Sequence, residues 1–477
     1  MNLSLLGPEI ILGIVAVVII LLDLVVAKKG VLAAVGVYGV VVAALFNATL
    51  IGPTQQTFNN MLVSDSFSIL FNFAFLGIAA LVILSSVEYS RRFRRSQGEY
   101  YALILFSAAG MMLMASTREL ISIYVALELT SISLYVLAAF LRDGKSTEAG
   151  LKYLLLGALS SAVLLYGMAL LFGLTETTDL GKISDMIISL HGNNQPALIL
   201  ATVLLAAGFG FKIAMVPFQM WAPDVYEGAP TPITAFLSVG SKAAGFAVIL
   251  RVFNIGFGSA YFFDWQMIFA VLSVLTMTFG NVVALVQSNI KRLLAYSSIA
   301  QAGYVLIGIV AASNSSRFAV SGVVFFLLGY ALTNLGAFIA IIAISEKTGS
   351  DEIADFSGMA KRAPGLAMAL AFCLISLTGI PPTVGFIGKF YLFSSAIEAG
   401  WIWLVVIGLV NSAISAYYYV KVVKVMYLGA SASEEKIKLS APILTALGIA
   451  ILGVFVAGIY PGPLFQWVEA AAKSLIG

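Results

Sequence analysis

Cysteine and histidine are almost missing: Cys373 and His191 stand alone among 477 residues. One thiol cannot close a disulfide within the chain. An iron–sulfur cluster needs about four cysteines and a bis-histidine haem needs two imidazoles, so neither centre has its ligands here. The usual donors of a tetrahedral zinc site are short as well. No G-x-x-x-x-G-K-[ST] loop and no strand-borne G-x-G-x-x-G occurs, which removes the common nucleotide cradles. His191 reads as a loop residue and Cys373 as a small apolar one. Charge is scarce too, at 10 % of residues, where soluble domains carry about 25 %.

What fills the space is apolar: 61 % of the residues are hydrophobic and the mean hydropathy is +1.02. That surface suits a lipid-facing bundle. The apolar runs are long and unbroken rather than alternating, which favours helices over a β-barrel. Crossing the hydrocarbon core takes about 20 apolar residues. By that measure spans fall at 8–27, 31–51, 66–87, 100–116, 120–140, 150–174 and 197–218. A second set falls at 233–253, 265–286, 293–312, 318–345, 365–398, 401–427 and 441–460. The reading is an all-α, single polytopic membrane domain over 1–477 with about 14 transmembrane helices. The first run is too long for a signal-peptide core and its basic residues follow it, so it reads as a span. The stretch 365–398 is too long for one straight helix and holds Pro381-Pro382, so a broken helix is expected. Residues 182–190 are short and amphipathic and belong to a loop or an interface; Ser431–Lys438 is a short polar loop.

Lys and Arg distribute unevenly. Seventeen follow odd-numbered spans, whereas five (Arg118, Lys182, Arg251, Arg317, Lys473) lie on the other side. The positive-inside bias then puts the odd loops in the cytoplasm and both termini outside. Four of the 26 basic residues remain, Lys152, Lys212, Lys242 and Lys389, and all fall inside spans.

A charge at mid-bilayer costs at least roughly 2.5–3.5 kcal/mol and usually marks a polar interior with a partner. Glu128 lies deep in the fifth span, Lys212 five residues before Pro217, Lys242 about ten residues into the eighth span and Lys389 seven after Pro382. Static ion pairs that join helices are one account of them. Snorkelling suits Lys152, and Lys421 or Lys424 near a helix end. Three central lysines against one central glutamate leave positive charge unpaired, which a titrating chain explains better than glue does. Burial disfavours an ammonium and a nearby carboxylate favours it, so a lysine between the two can load and release a proton when its partner moves.

Prolines mark the same places. Lys212/Pro217 and Pro382/Lys389 have opposite order along the chain, and interrupted helices in two halves point to inverted repeats with a midplane site; Pro217 could equally just end its helix. Ser297, Ser298, Gln301, Tyr304, Thr333 and Asn334 could hold water between the charges, or bind helix to helix.

The stretch FKIAMVPFQMWAPDVYEGAPTPITAFLSVGSKAAGFAVILR (211–251) resembles the signature region of the antiporter-like subunits of respiratory complex I. KRLLAYSSIAQAGYVLIG (291–308), ELTSISLYVL (128–137), EAGLKYLLLGALSSAVLLYG (148–167) and SLTGIPPTVGFIGKFYLF (376–393) are similar to the same family. The likeness is weakest before about residue 60 and after about 430. Within the family it is nearest to members with lysine at the Lys389 position and no appended lateral helix. The resemblance implies two inverted five-helix repeats, 100–253 (spans 4–8) and 265–427 (spans 9–13), with helices 7 and 12 broken. It implies that Glu128 and Lys212 form the input pair, that Lys242 relays inward, and that Lys389 serves the output. Lys152 matches a lysine of less certain role. Gln219 and Gln301 depart from the histidines of many relatives, and glutamine hydrogen-bonds without titrating near neutral pH.

The function so implied is proton translocation by a non-redox subunit of NADH-quinone oxidoreductase in a prokaryotic cell membrane. No cofactor is expected in this chain; flavin, iron–sulfur clusters and quinone would sit on partner subunits. The expected partners are other membrane-arm subunits, further antiporter-like ones included, and the lipid bilayer, with no nucleic acid. A cation/proton antiporter subunit of the Mrp type shares these motifs and is the alternative. A structural spacer is a third.

Overall fold

The computed structural model of the chain describes residues 2–93, 96–189, 195–257, 265–312, 317–430 and 435–476. His191, Arg94, Arg95 and the start of the Ser431–Lys438 loop lie outside the described residues. In lipid a backbone must satisfy its own polar groups, so the apolar runs coil. The described chain is accordingly almost all helix.

Six helices come first: α1 (Gly7–Val25), α2 (Gly30–Thr49), α3 (Ser66–Tyr89), α4 (Gln97–Ser116), α5 (Leu120–Ala138) and α6 (Gly144–Thr175). A short hairpin of β1 (Gln55–Thr57) and β2 (Leu62–Ser64) joins α2 to α3, an element that the sequence did not announce. The amphipathic piece is α7 (Leu180–Ser189). Next come α8 (Gln195–Ile213), α9 (Trp221–Gly228), α10 (Thr231–Phe236) and α11 (Lys242–Arg251), the last two joined through a π-helical turn at Leu237–Ser241. The second half holds α12 (Trp265–Ala284), α13 (Ile290–Ala312), α14 (Arg317–Thr348), the single turn α15 (Met359–Arg362), α16 (Pro364–Thr378), α17 (Val384–Glu398), α18 (Ile402–Leu428) and α19 (Ala441–Ile459). A last helix, α20 (Gly462–Ile476), was not expected. It packs on α3 and α14.

Thirteen helical stretches among the described residues are long and apolar enough to cross a membrane. The remaining expected span, 365–398, is α16 and α17, two helices of 15 residues each. Each is only about 22 Å long, short of the roughly 30 Å hydrocarbon core. The expected break is there, and Pro381-Pro382 sits in it. The seventh span is broken as well: α8 stops at Ile213 and α9 resumes at Trp221, so Pro217 interrupts the helix rather than ending it. Residues 221–228 lie beyond the expected seventh span, 197–218.

The stretch 231–256, α13 and α14 form the inner layer, almost wholly covered by the others, whereas α1, α2, α6, α18 and α19 expose leucine, valine and aromatic side chains outward. Ion pairs tie the ends of the bundle. Asp65, the N-cap of α3, accepts from Ser68 N at 2.8 Å and from Arg251 Nη2 at 2.9 Å and Nη1 at 3.1 Å. Arg118 adds a contact at 3.3 Å, and the side chains of Asp65 and Arg251 are both fully buried. Burial pushes the Asp65 carboxyl up, but the Arg251 guanidinium, with the Ser68 amide and Arg118, outweighs it and holds the group below the usual carboxylate range.

Removing one partner of a buried pair strands the other charge, at about 3–5 kcal/mol. Asp65→Asn is therefore expected to lower the thermal stability of the purified protein by that order. Because the folded carboxyl titrates below its unfolded value of about 3.9, its contribution is present above that pH and is lost only as pH falls through the lower folded value. Between pH 5 and 8 the difference between wild type and variant should stay constant in thermal denaturation.

Candidate functional site

Two helix breaks and the stretch between them build the site. At the first, α8 ends with carbonyls that have no helical donor. Trp221 Nε1 donates to Phe211 O at 2.9 Å, Met215 N to Gly210 O at 2.8 Å, and Val216 N to Thr276 Oγ1 of α12 at 3.1 Å. Tyr153 of α6 stacks on Trp221 with ring centroids 4.4 Å apart, clamping the break from the side. Lys212, in the last turn of α8, is 3 % exposed and donates to Ser131 Oγ of α5 at 2.8 Å.

Glu128 lies one turn before Ser131 on the same face of α5 and accepts from Ser161 Oγ of α6. It is half-buried, beside an outward stripe of Ile121, Val125, Ile132 and Val136. Among the described residues, Glu128 and Lys212 make no ion pair within 4 Å. The two are neighbours across α5, each held by its own serine.

Lys242 begins α11 directly after the π turn. It is 3 % exposed and donates to the backbone carbonyl of Ser298 in α13 at 2.8 Å. Ser298 Oγ in turn accepts from Tyr330 Oη of α14 at 2.8 Å. A π turn widens the helix and shifts the side-chain register; no pattern of residues forecast it. Gly245, one turn after Lys242, packs on the stem of Lys212, so the two lysine-bearing segments touch.

At the second break the lysine itself satisfies the freed carbonyls. Lys389 Nζ donates to Thr378 O at 2.9 Å, Leu377 O at 3.2 Å and Ser412 Oγ at 2.9 Å. The first two are the last carbonyls of α16, the negative end of its dipole. Its ammonium also lies 4.5 Å from the centre of the Tyr304 ring, and the residue is 4 % exposed. Gly379 turns the chain with φ of 89°, and the Lys389 stem lies where a Cβ would be. Gln301 of α13 donates to the same Leu377 O at 3.0 Å. The other polar candidates are engaged too: Ser297 with Tyr419, Tyr304 with Asn281, Thr333 with Ser376, and Asn334 with Ser238. The second glutamine, Gln219, is buried at the first break.

Lys152 is elsewhere. α6 starts at Gly144, earlier than expected, and Lys152 sits with its side chain 41 % exposed, paired to Glu148 and Asp224 at 2.7 Å each. It belongs to a terminal ion network in which Arg292 bridges Asp224 (2.8 Å) and Glu227 (2.9 Å), and Lys145 meets Glu227 at 3.3 Å. The two acids of α9 were missed in the sequence, although D and E in the otherwise apolar WAPDVYEG were a visible signal. Lys291, one of the seventeen basic residues after odd-numbered spans, is buried, with no sequence signal to say so.

Three inner lysines held by hydroxyls and carbonyls, two of them at helix breaks, define a polytopic bundle of the ion- and proton-translocating kind. Residues 117–415 match the family described as NADH:quinone oxidoreductase/Mrp antiporter, TM. The chain is 45 % identical to NADH-quinone oxidoreductase subunit N of Trichlorobacter lovleyi, over 99 % of this chain and 97 % of that protein. A chain of respiratory complex I from Thermus thermophilus, solved with bound aureothin, shares 34 % identity and a TM-score of 0.81, over 96 % of this chain and 98 % of that one. A chain of the Mrp complex from Dietzia sp. superposes with a TM-score of 0.85 at 20 % identity over the full length of both, which shows a common fold alone. The chain belongs to the NADH:quinone oxidoreductase/Mrp antiporter family and, within it, to the NADH-quinone oxidoreductase subunit N branch.

The second break depends on close approach of its two halves. A Cβ on Gly385 would come 1.9 Å from Ser376 O. Gly385→Ala is expected to push α16 and α17 apart and cost about 1–3 kcal/mol, as overpacking does. Thermal denaturation of the purified protein would show a lower midpoint, with the Leu377 and Thr378 carbonyls displaced from Lys389.

Proposed function

We propose that this chain is a proton-translocating, redox-silent membrane-arm subunit of a NADH-quinone oxidoreductase, with Glu128, Lys212, Lys242 and Lys389 as its relay. The observation that carries the reading is the company these lysines keep. Each is buried, and each is bound by serine hydroxyls or backbone carbonyls rather than by a carboxylate. Such oxygens accept from an ammonium, and they still accept one hydrogen from a neutral amine. The proton can therefore leave or arrive without stranding a counter-ion.

Glu128 supplies the input control. In the observed arrangement Ser161 holds Glu128 and Ser131 holds Lys212, one helical turn apart on α5. A rotation of Lys212 from Ser131 toward Glu128 forms the pair. A charge pair at 4 Å in an effective dielectric of 20 interacts by about 4 kcal/mol, enough to bias proton occupancy by roughly a thousandfold. From Lys242 the route runs between α13 and α14, through Ser298, Tyr330 and Gln301, to the Leu377 carbonyl beside Lys389. Gln301 hydrogen-bonds along it and carries no titrating proton of its own. Lys152 acts from the terminal network, as a contact to α9 rather than a relay member.

Two inverted repeats, 100–253 and 265–427, account for the placement of both breaks. Supporting this, α6 and α14 both have 32 residues, and each is preceded by a helix with the same cap. Glu119 accepts from Ile121 N and Ser122 N, and Asn289 from Lys291 N and Arg292 N. Each cap residue also bridges a segment beyond the long helix, Glu119 to Asp179 and Asn289 to Glu352. The charge asymmetry of the loops supports an orientation with the Arg292 end in the cytoplasm and both termini outside, and the bacterial relatives support a prokaryotic cell membrane. A half-buried mid-span carboxyl beside an outward apolar stripe is costly against lipid, which favours a neighbouring antiporter-like subunit over α5. Electrons would run through flavin, iron–sulfur clusters and quinone on partner subunits.

Lys389→Ala in the intact complex is expected to reduce proton pumping and coupled quinone reduction severalfold, with electron entry from NADH to an artificial acceptor unchanged. An unaltered proton-to-electron ratio in that variant would defeat the relay. Co-purification of flavin and iron–sulfur subunits separates this reading from a gradient-driven antiporter.

A further inference from the structure

Lys291 is a buried cation that the relay does not use. It opens α13, is 3 % exposed, and its ammonium donates to Glu227 O at 2.7 Å and to Ala229 O at 2.9 Å. Glu227 closes α9, the far half of the broken seventh span, and Ala229 follows its last residue. Terminal carbonyls of a helix lack intrahelical donors and carry the negative end of its dipole, so a single ammonium closes that end. The neighbouring Arg292 grips the same short helix by side chains, one turn apart, at Asp224 and Glu227. Asp351 holds the arrangement from behind: its carboxylate lies 3.7 Å from Lys291 Nζ and its carbonyl accepts from Ile290 N at 2.9 Å.

The other end of this contact is what gives it consequence. Seven residues along α13, about 10 Å, the same helix offers the Ser298 carbonyl to Lys242, and ten along, about 15 Å, Gln301 reaches the Leu377 carbonyl that Lys389 also uses. A helix is stiff over that length. Gripped at its start by α9 and touching two lysine sites in its middle, α13 is the shared member of both breaks. A surface cavity of about 390 Å³ opens beside Lys145, Glu227, Lys291 and Asp351, so the grip lies next to free volume into which α9 can shift.

We propose that Lys291 is a positioning residue which, with Arg292, latches α9 to α13, so that displacement of the broken seventh span reaches the oxygens holding Lys242 and Lys389. The latch rests on the relay proposed above. A plain helix cap would occupy the same place and differs in one respect: its loss loosens α9 without uncoupling pumping from electron flow.

The test uses the intact complex in proteoliposomes, with hydrogen exchange at the amides of 225–231 and the proton-to-electron ratio measured together. Lys291→Met should speed exchange there by about tenfold, as loss of a charged hydrogen-bond partner does, and lower the ratio severalfold. Lys291→Arg, which keeps the cation, should restore both. Faster exchange with an unchanged ratio would reduce Lys291 to a cap, and unchanged exchange would remove the latch altogether; either overturns the proposal. If Lys291→Met does not assemble, Arg292→Gln leaves the buried ammonium in place and faces the same two outcomes. Exchange reads the latch independently: an intact ratio in Lys389→Ala beside fast exchange in Lys291→Met means that the relay has failed, not the grip.

Discussion

In lipid every carbonyl released from a helix must find a donor, and every buried ammonium must find acceptors; the second break meets both needs at once. At the second break Lys389 takes up the last two carbonyls of α16, and Ser412 and Gln301 complete them. Without the break there are no free carbonyls for the lysine, and without the lysine each carbonyl keeps a single neutral donor, Gln301 or Ser412. The positions of α13 and α18 follow, since each must bring one polar side chain to that spot. The first break is closed differently, with Trp221 donating to the Phe211 carbonyl and Thr276 accepting from Val216 N, and leaves Lys212 to a serine. Its lysine is thereby the less constrained of the two, in keeping with a residue proposed to swing toward Glu128.

Charge is treated differently at the ends of the bundle and in its middle. At the ends, carboxylates and cations meet within about 3 Å, as in Asp65–Arg251 and the Asp224–Arg292–Glu227 group. These pairs are static ties between helices distant in sequence. Among the described residues, the middle lysines Lys212, Lys242 and Lys389 donate hydrogen bonds to hydroxyls and carbonyls and to no carboxylate. A fixed counter-ion would lock a lysine in its charged form, whereas a neutral oxygen leaves both forms available. Lys152 falls on the terminal side of this division, which depth in the sequence alone did not reveal because α6 begins earlier than its apolar run.

The bundle itself was readable from hydropathy, since apolar length is set by bilayer thickness and little else. The broken twelfth span was readable for a related reason: 34 residues are too many for one crossing and Pro381-Pro382 lies in the middle. The seventh was ambiguous, because α9 is only eight residues long and carries two acids, so it scores as loop. The β1–β2 hairpin, the π turn before Lys242 and α20 left no trace, being short or dependent on neighbours for their hydrogen bonds and burial. Glu128, Lys212, Lys242 and Lys389 announced themselves as charges where charge is costly. Lys291 did not, because a basic residue at a helix start is ordinary there.

From its sequence alone this protein is a many-helix membrane bundle with inner lysines and no ligands for a redox centre, because composition, run length and the cost of charge in lipid are local properties. Which oxygens hold each lysine, that Glu128 and Lys212 stand apart on separate serines, and that α13 meets both breaks were decided by tertiary packing. Those contacts join residues from about 10 to more than 80 positions apart, and no one-dimensional pattern encodes the distance between them.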